Sequence, residues 1–138
     1  VRNVESLEAG FYHYDAFAHR LTRLEDRPEP REALFGLAKR NLGGPVLSRG
    51  DPAVLFVVTA VVARTCWSYR GIAYPLLLQE VGALYQTLYL VATHLGLAPC
   101  AIGAFPAAAV AELLGLDGRD EAPMGLLALG VPEGPASP

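Results

Sequence analysis

Residues 75–97 read PLLLQEVGALYQTLYLVATHLGL, the longest apolar stretch in the chain. Its length approaches what a bilayer-spanning helix needs. Gln79, Glu80, Gln86, Thr93 and His94 interrupt it, and Pro75, Gly82 and Gly96 weaken its hydropathy further, so it is not read as a membrane segment. Gln79, Gln86 and Thr93 recur every seventh residue and draw one polar line along an otherwise apolar helix. A helix apolar on most sides needs cover over much of its circumference. A chain of 138 residues has little interior in which to provide it. The segment therefore predicts a long helix that meets another subunit.

Outward from this helix, AVLFVVTAVV at 53–62 is an unbroken β-branched run preceded by the turn residues Gly50, Asp51 and Pro52. It predicts a central strand over 51–62, with helices covering both sheet faces. Further upstream, GFYHYDAFAHRLTRL at 10–24 predicts a β-hairpin. EDRPEP at 25–30 is a proline-broken connection whose Pro30 starts a helix over 31–41, with Leu34, Leu37 and Ala38 on one face. Gly43, Gly44 and Pro45 then stop that helix.

Downstream of the long helix, residues 98–105 form a short connection with a little strand character. Pro106 opens a helix over 107–114, Gly115 closes it, and PMGLLALG at 123–130 is a final buried strand. The expected organisation is one domain over 1–138: hairpin and helix at 10–44, core at 51–130 and tail at 131–138.

A net charge of −3 leaves no positive excess for a nucleic-acid backbone. Cys66 and Cys100 form no C-x-x-C pair and lack histidines at zinc spacing, so no metal is expected. Both are expected to be buried thiols in a reducing cytoplasm. No signal-peptide pattern opens the chain, and its Arg, Ala, Gly and Pro usage suggests a GC-rich bacterial gene. Asp117, Asp120 and Glu121 are read as a solvated acidic turn, His13 and His19 as surface groups, and His94 as a cap near the helix end.

The ordered set formed by the long helix, LGLAPCAIGAF at 95–105 and AAAVAELLGLDGRDEAPMGLLALG at 107–130 resembles the C-terminal half of nitroreductase-like flavoenzymes. Within that superfamily, Trp67 to Gly130 is similar to SagB-type azoline dehydrogenases. The resemblance implies an α+β fold, with a mostly antiparallel central sheet, helices on both faces and a long dimer-interface helix. It further implies FMN in a groove between two subunits, a homodimer or related subunit joined through helix 75–97, and hydride transfer with a small or peptide-borne substrate.

By the same resemblance, Ile102, Gly103 and Ala104 run past the flavin, with the Gly103 amide near flavin N5. Tyr69, Tyr74, Glu80 and Gly82 match the SagB-type pattern, whereas Ser68, Ile72 and Ala83 stand where that family has lysine, arginine and histidine. Tyr69 is left as the residue to take the substrate proton, with Arg70 as the adjacent cation able to assist it. The family's Arg-rich phosphate segment has no counterpart in residues 1–66, because Arg20, Arg23 and Arg27 have the wrong spacing. Three readings follow: a flavin oxidoreductase, a catalytically silent homologue or partner subunit, and a piece of a larger flavoenzyme.

Overall fold

The computed structural model of the chain describes residues 1–42 and 51–132. The turn residues Gly43, Gly44, Pro45 and Gly50 and the end of the tail lie outside them.

Strands β1 (Tyr12–Asp15) and β2 (Arg20–Arg23) form the expected hairpin, with Tyr12 opposite Arg23 and Asp15 opposite Arg20. Asp15 closes its turn by accepting hydrogen bonds from the Phe17 and Ala18 N–H groups, both at 3.0 Å. Helix α1 (Pro28–Asn41) begins earlier than expected. Prolines 28 and 30 both fit its first turn, where their missing N–H groups break no helical bond. Its Leu34, Phe35, Leu37 and Ala38 are buried.

Strand β3 (Val54–Val61) leads into helix α2 (Val62–Tyr69) and a 3₁₀ turn (Arg70–Ile72). Helix α3 (Ala73–His94) follows without a break. It accommodates Pro75 in its first turn and ends with Gly96 at φ 70°, where the Leu97 N–H reaches back to the Ala92 carbonyl at 2.8 Å. Strand β4 (Ala98–Ile102), helix α4 (Ala107–Leu114) and strand β5 (Glu121–Gly130) complete the chain.

The sheet order is β3-β5-β4, antiparallel throughout. This corrects the expectation that residues 51–62 form the central strand: β5 lies in the middle and β3 flanks it. The apolar run at 53–62 records how its faces are covered, not how many neighbours its backbone has. Val62 begins α2, not the end of the strand. The β3–β5 register shifts between Val58 and Thr59, opposite Pro123, whose missing N–H interrupts the ladder.

Helices cover both faces of β5, as the α+β architecture requires. On one face Leu126, Ala128 and Ile102 pack with Leu34, Leu37 and Ala38 of α1 and Val110 of α4. On the other, Gly125 meets Tyr85 and Val81 of α3. Leu126 and Leu127 are both fully buried, as expected where a middle strand is sandwiched between helices.

Two surface carboxyls give the fold an acid-sensitive edge. Asp51 is held below its ordinary pKa chiefly by a hydrogen bond from Lys39, and Asp117 chiefly by the N–H groups of Asp120 and Arg119. A lowered folded-state pKa adds stability above the unfolded value and loses it as pH falls through the folded value. Urea unfolding midpoints should therefore fall below about pH 4. Combining Asp51→Asn with Asp117→Asn should flatten that decline.

Candidate functional site: the free edge of β4

Strand β4 pairs with β5 on one side, so alternate N–H groups project from its other edge. One of them, on Ala101, donates to the Tyr89 hydroxyl of α3 at 2.8 Å. One turn earlier on the same helix, the Tyr85 hydroxyl donates to the Leu126 carbonyl at 3.0 Å. Partial burial raises the Tyr85 pKa, so its hydroxyl keeps this proton well into the alkaline range.

Gly103 follows β4 with the same parity as Ala101. Its N–H has no backbone or side-chain acceptor among the described residues. Gly103 and Ala104 are exposed, and a Cβ built at Gly103 would meet nothing within 4 Å. Ile102 differs from both: its side chain is 2% exposed and belongs to the core, so it can face a ligand only through its backbone. The result is an open backbone donor bordered by small residues.

Tyr69 occupies another part of the molecule. It ends α2 and is 54% exposed, beside Arg70, whose φ of 29° and ψ of −109° lie outside the common regions for a non-glycine residue. Helix α3 rises about 12 Å between its start at Ala73 and Val81, which faces Gly125 near the level of Gly103. Tyr69 precedes that start. Tyr69 and Gly103 thus sit on different elements, the end of α2 and the residue after β4.

Between Trp67 and Leu95 the surface is unusually apolar. Trp67 is 87% exposed, and Ile72, Tyr74, Leu84, Leu90, Val91 and Leu95 are exposed too. Exposed apolar side chains concentrated on two successive helices suit a place where another surface packs.

Most of the basic side chains in the N-terminal part of the chain are already engaged. Arg2, Arg20, Arg23, Arg31 and Lys39 are each paired with carboxylates. Arg27 donates to the Leu113 and Leu114 carbonyls at the end of α4. Shallow depressions lie beside Phe11, Arg27 and Gly115 and beside Arg2, Lys39 and Asp51, both away from Tyr69 and Gly103. No described helix is long and apolar enough to cross a membrane. His13, His19 and His94 are exposed, with the His19 ring in hydrogen-bond contact with the Tyr14 hydroxyl at 2.8 Å.

Tyr85 and Tyr89 were not among the residues singled out in the sequence. The available signal was two phenols one turn apart within a leucine-rich helix. A buried tyrosine usually directs its hydroxyl to a specific partner.

These features define an α+β domain with a small antiparallel sheet, an apolar long helix and an open backbone donor at the sheet edge. Comparison with known proteins gives this class a family. The model of the nitroreductase family matches residues 13–131. A nitroreductase-type protein of Methanocaldococcus jannaschii is 28% identical over 114 residues, covering 83% of this chain and 54% of the relative. Among solved structures, a chain of the Escherichia coli microcin synthetase McbBCD complex, with truncated pro-MccB17 bound, superposes with a TM-score of 0.75 at 27% identity. That match covers 94% of this chain and 47% of the other. A nitroreductase-type protein from Anabaena variabilis gives 0.77 at 27% identity, covering 93% of this chain and 25% of its own.

The chain belongs to the nitroreductase family. It spans about half the length of the curated relative it matches.

Proposed function

We propose that this chain supplies the ring-facing part of an FMN site in an oxidoreductase that acts on a small or peptide-borne substrate. The observation carrying this reading is the unpaired Gly103 N–H on the open side of β4, flanked by the small Ala104. A planar flavin ring needs such a surface, where backbone can approach closely and donate a hydrogen bond. The residues present suit the ring better than the phosphate, because Arg2, Arg20, Arg23, Arg27, Arg31 and Lys39 are already committed to carboxylates or carbonyls. Phosphate donors are assigned to residues beyond those described or to another chain.

When bound, FMN would supply the hydride acceptor. The protein must bind and orient the ring, exclude water and manage the substrate proton. Gly103 performs the first task through its N–H. The apolar surface of α2 and α3 suits the second if it is covered by a second copy or a related subunit. Tyr69 is assigned the proton. Its exposure at the end of α2, beside the apolar surface, suits a site completed across that interface. The peptide-borne option, and with it SagB-type azoline oxidation, draws support from the likeness to the McbBCD chain, whose structure contains a peptide precursor.

The full-length protein should carry stoichiometric FMN, visible in its absorbance. Colourless protein that takes up no added FMN would sink the reading. Tyr69→Phe should lower the rate of hydride transfer about tenfold, short of the larger effects of buried, tightly positioned acids and bases. FMN affinity should be preserved, so rapid-mixing kinetics and equilibrium binding together isolate this role.

A further inference from the structure

We infer that Tyr89 is a positioning residue for the ligand-facing backbone after β4, acting through Ala101 to present the Gly103 N–H. The inference rests on the flavin reading of Gly103 and adds a residue to it.

Helix α3 grips two strands with two hydroxyls. Tyr85 donates to the carbonyl of Leu126 on β5, and Tyr89 accepts from the N–H of Ala101 on β4. Leu126 is the cross-strand partner of Ile102, so the two contacts bracket the residue immediately before Gly103. The strands depend on these contacts differently. Among the described residues, β5 is held by ladders on both sides, whereas β4 is five residues long and has a ladder on one side. For β4, the Tyr89 hydroxyl stands where a second strand would supply its contact. It satisfies one outward N–H and fixes the line along which the next outward N–H, that of Gly103, is presented. A rigid phenol ring on a long helix sets that line with few degrees of freedom.

The contrast between the tyrosines provides the test. Tyr89→Phe and Tyr85→Phe each delete one hydroxyl contact to the strand backbone, so each should lower thermal stability modestly. Only Tyr89→Phe should affect ligand presentation. In the full-length protein, it is expected to weaken FMN binding about fivefold to tenfold, the scale of one misplaced hydrogen bond. It should also alter the absorbance band shape of the bound flavin and remove amide-exchange protection at Ala101. Tyr85→Phe should leave FMN affinity within about twofold.

Equal effects of the two variants on FMN affinity, or no effect of Tyr89→Phe despite lost protection at Ala101, would overturn the inference. If unsubstituted protein binds no FMN, the flavin reading itself falls and this inference falls with it. That failure is distinguishable because it appears before any substitution, while exchange at Ala101 still reports the Tyr89 contact.

Discussion

Gly125→Val is expected to destabilise the fold by about 3 kcal/mol or more, placing it among the severe single substitutions. Gly125 lies on the β5 face that α3 covers. A Cβ there would stand 2.9 Å from both Val81 Cγ1 and Tyr85 Cζ, and closer still to the Tyr85 hydroxyl oxygen. The obstruction cannot be relieved cheaply. Val81 is buried, and the Tyr85 ring is fixed by its hydrogen bond to Leu126. Valine must either push the helix off the sheet or break that bond and expose its partner carbonyl.

Denaturant unfolding should show a lower midpoint with a single transition. Gly103→Ala makes the control: with nothing near its Cβ, it should change stability by no more than about 0.5 kcal/mol. A Gly125→Val protein as stable as its parent would mean that α3 does not pack on β5 as described.

The contact between Gly125 and α3 also shows where sequence reasoning reaches its limit. Elements with local signals were legible. The stretch GFYHYDAFAHRLTRL at 10–24 marked the hairpin, Pro106 and Gly115 bounded α4, and the spacing of Leu34, Leu37 and Ala38 gave α1 its buried face. Positions in the sheet were not legible, because apolar runs at 53–62 and 123–130 both announce burial and neither states which strand is central. Helix α2 went unseen because VARTCWSY continues a β-branched run, has no side-chain cap at its start and contains Thr65 in its interior.

The candidate site divides in the same way. Gly103 emerged through its place in an ordered family pattern, since a glycine in a connection is otherwise unremarkable. Tyr89 could not emerge, because its partner lies twelve positions away on a strand whose free edge is visible only in three dimensions.

The second large effect concerns the ligand. Gly103→Pro should weaken FMN binding about tenfold to a hundredfold, because proline removes the N–H and leaves a buried polar atom of the ring without its donor. The backbone should tolerate the change better than most positions would. Gly103 follows an extended strand residue, as a residue before proline prefers, and its N–H takes no part in the described hydrogen bonds. Unchanged thermal unfolding alongside lost affinity would separate this effect from misfolding. Gly103→Ala, which keeps the N–H, should retain tighter binding than Gly103→Pro.

The most direct measurement compares FMN with riboflavin, its counterpart without the phosphate, by absorbance titration of the parent protein and Gly103→Pro. If Gly103 serves the ring, the substitution weakens both ligands by the same factor and leaves their affinity ratio unchanged. A loss confined to FMN would place Gly103 at the phosphate. Unchanged affinity for both ligands would remove it from the site, and either result would contradict the account.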